Sequence, residues 1–366
     1  MSKGKARLGV SKQDYLRLGL KKNVIAQWED GLRTSGKLGE YEWWYFDAKL
    51  EGGYSLVIIF YSQPVTAATL GYAPCVSFSL TGGGYEILEE VSAKIKDCGF
   101  SRKSCDVKIG KNTLSGDLKN YKIHFENERI CCDVSLAGLA ESYRHHTGEF
   151  FFGKNKYFAW LPSVPEGRVT ADITIDGKKM SLTGSGYHDH NWGNVSMMKL
   201  MHHWYWGRAK IGNYKVISSW ITAEKKYGYK DHDVFMIAKD GEIIGDNSNH
   251  TLKFMPEDRY IDEYTGKPVY NKVIYEYTTE AGEEYRITYE RKGDINKTRF
   301  VDVLPKPLGI LAKMIGFDGG YLRFEGVATV EKKEGGKTAE KVSDPAVWEL
   351  MYFGRSCADE KYREKK

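Results

Sequence analysis

Short apolar or alternating segments that end at turn residues recur along most of this chain. Residues 43–50 precede Glu51-Gly52-Gly53, and residues 76–80 precede Gly82-Gly83-Gly84. Such segments predict β-strands joined by tight turns. Asp176-Gly177, between two alternating segments, is a strong signal for a β-hairpin. Because the same pattern continues through residues 204–353, we predict a mostly β protein built from antiparallel strands.

Helical periodicity is confined to two segments. Between Ser11 and Trp28 the apolar residues recur near helical spacing, and Ser11 can serve as the N-cap, so we expect a short N-terminal helix. Residues 304–317 combine apolar residues with two prolines and two lysines. They are too few to span a bilayer. We expect an amphipathic helix there, with a lid over an apolar pocket or a peripheral membrane contact as alternatives.

The length of 366 residues suggests two domains. Two successive sets of strands indicate two antiparallel barrels or sandwiches. We therefore predict an N-terminal helical segment at residues 1–36, β domains at 37–196 and 197–356, and a charged tail at 357–366.

Composition and short motifs exclude several classes of protein. The net charge is +5, and the basic residues are interspersed with acidic ones, which argues against a nucleic-acid partner. The six cysteines lack paired C-x-x-C spacing, which indicates reduced thiols and a cytoplasmic protein. No segment has the apolar length of a signal peptide or a transmembrane helix. The motifs G-x-S-x-G and G-x-x-x-x-G-K-[ST] do not occur either.

The densest group of polar residues lies at 186–193. In an extended strand the side chains alternate between two faces, with His188, His190 and Trp192 on one and Tyr187, Asp189 and Asn191 on the other. This combination suits a pocket that delivers a proton to an apolar substrate. The indole face stabilises developing positive charge, and a histidine or aspartate donates the proton.

A second group, Glu42-Trp43-Trp44-Tyr45-Phe46-Asp47, places one carboxylate on each face of a strand. We expect burial beside indole rings to keep Glu42 protonated and able to act as an acid. The alternative is that the tryptophans belong to the core and that an arginine or backbone amides satisfy Glu42.

A third group, His202-His203-Trp204-Tyr205-Trp206-Gly207-Arg208, alternates in the same way and could line a pocket together with Trp220. An aromatic strand that only fills a barrel is the alternative.

A metal site is a further alternative. His188 and His190 could join one of His145, His146, His202 or His203 in a three-histidine zinc site with an open fourth position. This spacing is weak evidence by itself, and we expect no metal.

Glu42-Trp43-Trp44-Tyr45 and the segment Tyr187-His188-Asp189-His190-Asn191-Trp192-Gly193 together resemble the lipocalin-like superfamily of carotenoid 1,2-hydratase (hydroxyneurosporene synthase). Tocopherol cyclases and lipocalin-like Diels–Alderases resemble it more distantly. The resemblance implies two lipocalin-like β domains, an apolar pocket and no cofactor. The His-x-Trp element of the hydratases falls on His190 and Trp192, whereas their Tyr-x-Asp element has no carboxylate counterpart in residues 216–220.

The working hypothesis is acid-assisted hydration or cyclisation of an isoprenoid or polyketide-like alkene. Asp189 or Glu42 donates the proton, His190 orients the donor and His188 lies beside them. The predicted substrate-binding residues are Trp192, Trp43, Trp44, Tyr45, Tyr187, Trp204, Tyr205, Trp206, Arg208 and Trp220. The rival hypothesis is a carrier that binds an isoprenoid or another lipid without converting it.

Overall fold

A computed structural model describes residues 5–64, 71–303 and 317–354 of the chain. Antiparallel strands dominate it, so the predicted mostly β class is confirmed. The chain divides into two compact units, one at Leu8–Met197 and one at Met198–Lys366 together with Met1–Arg7. The domain limits given above stay a prediction.

The strands before residue 197 follow one another mostly as antiparallel neighbours. They are β1 (Ala6–Leu8), β2 (Tyr41–Leu50), β3 (Tyr54–Gln63), β4 (Cys75–Gly82), β5 (Tyr85–Ser92), β6 (Cys98–Phe100), β7 (Cys105–Ile109), β8 (Asn112–Gly116), β9 (Asn120–Glu126), β10 (Ile130–Gly138), β11 (Glu149–Phe152), β12 (Lys156–Ile175) and β13 (Lys178–Gly193). The main path through their sheet has the order β5-β4-β3-β2-β13-β12-β10-β9-β8-β7-β6, and β11 pairs with β12. This order places β13 between β2 and β12.

The second unit forms its own nine-stranded sheet. Its strands are β14 (Met201–Ile211), β15 (Tyr214–Ala223), β16 (Asp231–Lys239), β17 (Glu242–Gly245), β18 (Lys253–Ile261), β19 (Pro268–Thr278), β20 (Glu284–Arg299), β21 (Gly320–Glu334) and β22 (Lys337–Tyr352). The strand order is β17-β16-β15-β14-β22-β21-β20-β19-β18. Each unit buries its own apolar cluster, because alternate residues of the strands turn inward.

The N-terminal helix is shorter than predicted. Helix α1 covers Lys12–Leu18, and Ser11 caps it through a capping box with Asp14. The helix ends because Gly19 adopts the left-handed conformation at φ 70°, which favours glycine at a helix C-terminus. Residues 20–28 therefore leave the helix, and a 3-10 turn at Gln27–Asp30 precedes β2.

The second predicted helix, at residues 304–317, lies outside the described residues except for Phe317. A short helix α2 covers Phe300–Val303. In the described ranges no helix has the length and apolar character needed to cross a bilayer.

The hairpin between β12 and β13 forms at Asp176-Gly177 as predicted. Both residues have positive φ, 49° and 81°, and Ile175 pairs with Lys178 across the turn. This two-residue turn fixes the register of the adjoining part of β13 against β12, from Lys178 to Gly186. Two irregularities in β12, between Leu161 and Gly167, shift the register before His188 and His190.

Gly184, in the same strand, lies against the backbone of β2. A Cβ at this position would lie 2.1 Å from the carbonyl oxygen of Lys49 and 2.8 Å from the Cα of Leu50. We expect Gly184→Ala to lower the free energy of unfolding by about 1–3 kcal/mol, because the β2 backbone must move to admit the methyl group. Urea unfolding measures this change. Thr183→Ala, at the exposed neighbouring position, is the matched control and should cost less than about 1 kcal/mol.

Candidate active site

The β2–β13 pair carries the two motifs identified in the sequence. His190 lies opposite Trp44 and Trp192 lies opposite Glu42, so these four side chains share one face of the sheet. The Trp44 and His190 rings stack with centroids 4.5 Å apart, and His190 contacts the Trp192 ring at 4.7 Å. The alternation predicted for both motifs therefore brings an imidazole, a carboxylate and two indoles together.

Asp30 connects this face to the 3-10 turn before β2. Its Oδ2 accepts a hydrogen bond from the Tyr121 hydroxyl at 2.5 Å and lies 3.2 Å from His188 Nε2. His188 Nδ1 lies 2.9 Å from the carbonyl oxygen of Tyr45, to which it can donate. Asp30 and His188 are both completely enclosed, with at most 1% of either exposed. This fixed contact orients the His188 ring.

The charges of Asp30 and His188 stabilise each other. Burial alone would raise the pKa of Asp30, but the His188 imidazolium and the hydrogen bonds of His188 and Tyr121 hold it below its usual value. Burial alone would lower the pKa of His188, but the Asp30 carboxylate raises it instead. The pair therefore favours the ionised form of both groups.

Glu42 accepts hydrogen bonds from several neighbours. The backbone N–H groups of Arg33 and Thr34 donate to it at 2.6 and 3.0 Å, and the Thr34 hydroxyl donates at 2.5 Å. His190 Nε2 lies 2.8 Å from Oε1 of the same carboxyl group. The backbone amides predicted under the alternative interpretation are thus present. Glu42 acts here as an acceptor that holds His190 in place.

Asp189 lies on the opposite face of β13 from His190. It accepts hydrogen bonds from Trp160 Nε1 at 2.7 Å, from the Tyr187 hydroxyl at 2.8 Å and from the Asn191 amide at 2.7 Å. Burial raises the pKa of Asp189 to about 7, although the hydrogen bonds from Tyr187 and Trp160 act in the other direction. Because the two side chains point to opposite faces, His190 does not orient Asp189; its contact is with Glu42, the other donor named in the working hypothesis.

The three-histidine zinc site weighed as an alternative is not formed by the described residues. His188 and His190 each contact a carboxylate, and the candidate third ligand His145 contacts the Tyr143 hydroxyl at 2.7 Å. In the described ranges the groups of possible ligand atoms within 4.8 Å of one another are Asp30, Cys105 and His188, and His124, Cys131 and Asp133. Neither group contains two imidazoles.

A partly open cavity of about 140 Å³ lies in the first unit on the Trp192 face of the sheet. Its lining is mostly aromatic and aliphatic, with four charged side chains. The lining residues are Leu18, Leu20, Trp28, Glu29, Arg33, Arg144, Thr147, Gly148, Glu149, Tyr157, Trp160, Leu161 and Trp192. Trp192 lines the cavity and also packs against His190, which in turn contacts Glu42.

The other predicted substrate-binding residues of the first unit do not line this cavity. Trp44 is completely buried behind His190. Trp43 stacks on Tyr41 with ring centroids 5.7 Å apart. Tyr45 packs edge-on against Tyr187 at 6.3 Å, on the Asp189 side of the sheet.

In the second unit, β14 has the predicted alternation. Tyr205 and Trp220 lie opposite each other and pack around Phe254 in the core. The half-buried side chains of Trp204, Trp206 and Arg208 occupy the other face of β14.

Sequence reasoning missed two carboxylates that the structure places beside the motifs. Asp30 follows Trp28-Glu29, an aromatic residue beside two acids, and that composition could have drawn attention to it. Glu149 begins the apolar run Glu149-Phe150-Phe151-Phe152, in which a single carboxylate is a comparable signal.

A family model described as Diels-Alderase-like matches residues 113–273. Over this segment the chain resembles the Diels-Alderase-like proteins. The resemblance first seen in the Glu42 and Tyr187 motifs is therefore confirmed.

Two characterised proteins extend the comparison. The quinolone epoxide rearrangement protein of Emericella nidulans is 24% identical over 231 residues, which cover 56% of this chain and 59% of that protein. The hydroxyneurosporene dehydrogenase of Chlorobaculum tepidum is 27% identical over 213 residues, 47% of this chain and 54% of that protein. The chain thus matches between one half and two thirds of the length of these relatives.

Comparison with solved structures confirms the mostly β, lipocalin-like fold predicted for this chain. The crystal structure of CghA with Sch210972 has a TM-score of 0.58 at 14% identity and covers 88% of this chain and 94% of that one. Kievitone hydratase from Nectria haematococca has a TM-score of 0.51 at 13% identity and covers 96% and 98%. At sequence identities this low, the similarity shows a shared fold and says nothing about activity.

Proposed function

We propose that this protein is a cofactor-independent enzyme that promotes acid-assisted cyclisation or hydration of an apolar isoprenoid or polyketide-like alkene. The observation that carries the proposal is the cavity in which apolar and indole side chains surround a few ionisable groups. Apolar walls with a small number of placed polar groups are typical of sites for small molecules. Such walls also strengthen each electrostatic contact by excluding water.

The names of similar proteins support this class of reaction. They include a quinolone epoxide rearrangement protein, a Diels-Alderase-like family and a hydratase. Rearrangement, cycloaddition and hydration all change bonds at carbon without transferring electrons to an acceptor. The absence of a carboxylate in residues 216–220 favours cyclisation over hydration, since the hydratases' Tyr-x-Asp element lacks its acid here.

We assign Trp192 to the cavity wall and the four predicted catalytic residues to positions behind it. An indole face stabilises a nearby cation by up to about 2 kcal/mol when water is excluded. The contact with Glu42 holds the His190 ring in place, and the His190 ring in turn packs against Trp192. The contact with Asp30 holds the His188 ring in place. Asp189 is enclosed by three donors on the opposite face, so we assign it, like the other three, to positioning.

The cavity volume sets how a ligand binds. About 140 Å³ is smaller than the roughly 300–1,000 Å³ of pockets that enclose whole drug-sized molecules. We propose that the cavity takes up the reacting segment of a longer ligand, with the remainder at its open side.

We place the reaction in the cytoplasm, where the free thiols of the chain stay reduced.

Filling the cavity should abolish both binding and conversion. Leu18 lines the cavity from the end of α1, so Leu18→Trp should occupy part of its volume. We expect Leu18→Trp to weaken binding of the fluorescent probe N-phenyl-1-naphthylamine at least tenfold. We expect a similar fall in the conversion of an apolar polyene that the unchanged protein converts, measured by mass spectrometry.

Leu16→Trp is the matched control, because Leu16 belongs to the same helix but is 69% exposed. It should bind and convert as the unchanged protein does. Equal conversion by the two variants would place the reaction outside this cavity. Binding by the unchanged protein without any conversion would favour the carrier hypothesis.

A further inference from the structure

Glu149 differs from the other charged residues that line the cavity. Arg144 forms an ion pair with Glu29 and donates to backbone carbonyl oxygens. Arg33 donates to two backbone carbonyl oxygens. The Glu149 carboxyl group has no hydrogen bond or ion pair with any residue in the described ranges. A mostly buried carboxyl group without a protein partner is available to a ligand.

The register of three strands sets the surroundings of Glu149. Glu149 lies opposite Ala159 of β12, and Ala159 lies opposite Trp192 of β13. Residues opposite each other in an antiparallel ladder turn to the same face, so Glu149 and Trp192 flank Ala159 on the cavity side. Ala159 itself is fully buried and packs against Leu161 and Trp192, whereas Glu149 and Trp192 both line the cavity.

Burial has a larger effect on the pKa of Glu149 than the charged groups around it. Burial raises the pKa of Glu149 to about 7; Arg17 acts against this shift and Asp14 adds to it. Arg17 itself stacks over Phe151 and pairs with Asp14 at 3.7 Å. The other titratable groups that face this cavity are Glu29, Arg33, Arg144 and Tyr157. Below neutral pH the carboxyl group therefore keeps its proton and can donate it.

We propose that Glu149 is the catalytic acid of this cavity and donates a hydrogen bond to an uncharged oxygen atom of an otherwise apolar ligand. This inference rests on the proposed function and narrows its substrate class to alkenes that carry a carbonyl or comparable oxygen acceptor. The hydrogen bond withdraws electron density from the adjacent alkene and so assists bond formation at carbon. The proton stays shared between the two oxygens. In a cyclisation, π bonds of the ligand are lost as ring σ bonds form and no further reactant is consumed, whereas a hydration adds one water molecule across the alkene.

Two probes with the same carbon skeleton test the inference directly. One is the enone trans-4-phenylbut-3-en-2-one, and the other is 1-phenylbut-1-ene, which lacks the oxygen. At pH 6 we expect the unchanged protein to bind the enone about five- to tenfold more tightly than the hydrocarbon, the value of one hydrogen bond. This preference should disappear above pH 7, because an ionised carboxylate has no proton to donate. Infrared spectra of the enone carrying a ¹³C label at the carbonyl should show a lowered carbonyl stretch at pH 6 only.

Three variants separate the hydrogen bond from the space that Glu149 fills. Glu149→Gln keeps a donor without an ionisable group, so the enone preference should persist at every pH. Glu149→Leu keeps the volume without a donor, so hydrocarbon binding should remain and the enone preference should vanish. Glu141→Gln, at an exposed position upstream of β11, should behave as the unchanged protein.

The two possible failures are distinguishable. If the unchanged protein binds both probes equally at pH 6, Glu149 is not the donor, although the apolar cavity remains. If it binds neither probe, the proposed function fails, and the inference fails with it. A pH-dependent enone preference that survives in Glu149→Leu would also overturn the inference, because another group would then be the donor.

Discussion

Asp30→Asn should destabilise the first unit by about 3–5 kcal/mol at pH 6, because it leaves the buried His188 without its counter-charge. Asp30 and His188 are at most 1% exposed, and solvent cannot replace the lost contact. The substitution also weakens the acceptor for the Tyr121 hydroxyl. Urea unfolding followed by tryptophan fluorescence measures the change in free energy.

The pH dependence of the Asp30–His188 contribution follows from the direction of the two pKa shifts. The lowered pKa of Asp30 adds stability above its unfolded value of about 4, and this stability is lost as the pH falls through the folded value. The raised pKa of His188 adds stability that is complete below its unfolded value of about 6.5 and is lost as the pH rises through the folded value. The difference between Asp30→Asn and the unchanged protein should therefore be largest from about pH 4 to pH 6.5.

Asp133→Asn is the matched control for Asp30→Asn. Asp133 Oδ1 lies 2.8 Å from His124 Nδ1, so the chemistry of the contact is the same, but the Asp133 side chain is 65% exposed. Exposed pairs contribute less than about 1 kcal/mol. Equal costs for the two substitutions would show that burial of the Asp30 network adds nothing to stability.

Asp189 should make the folded protein less stable as the pH rises. Burial raises its pKa from 3.8 to about 7, so the folded state binds more protons than the unfolded state between these values. Stability then falls with pH, by about 3 kcal/mol between pH 5 and pH 8. Asp189→Asn removes the ionisable group and should remove this part of the slope.

The amide of an asparagine can take the place of the Asp189 carboxyl group. Its oxygen can accept the hydrogen bonds of Trp160 and Tyr187, and Asn191 can rotate its own amide to offer an oxygen. Urea unfolding at pH 5, 6, 7 and 8 gives the two slopes. Glu149 titrates in the same direction in both proteins, so it cancels in the difference. Asp106→Asn, at an exposed position, should leave the slope unchanged. Parallel curves for Asp189→Asn and the unchanged protein would contradict the assignment.

Local features were predictable because neighbouring residues decide them. The turn residues Asp176-Gly177 fixed a hairpin that the structure confirms, and Ser11 caps the helix as expected. The far end of that helix was missed, because the apolar spacing of residues 20–28 outweighed the stop signal at Gly19. Leu20 and Trp28 instead line the cavity, and Gln27 begins the 3-10 turn that ends at Asp30.

Contacts between distant residues were beyond the reach of the sequence. His188 meets Asp30 across 158 positions, and His190 meets Glu42 across 148. Alternation correctly placed His190 and Asp189 on opposite faces, yet which face borders the cavity depends on the strands and turns that cover it. Of the two donors expected beside His190, the structure brings Glu42 into contact with it and leaves Asp189 on the opposite face.

The sequence by itself determined the strands, the hairpin and the family resemblance, since period-two alternation and turn chemistry act over a few residues. Only the tertiary structure decided which of four carboxyl groups near the motifs has no partner among the residues that the structure describes. Asp30, Glu42 and Asp189 are enclosed by donors from remote segments, whereas Glu149 faces a cavity beside Trp192. Protonation depends on burial and on every nearby charge, and these are fixed when the sheet is assembled.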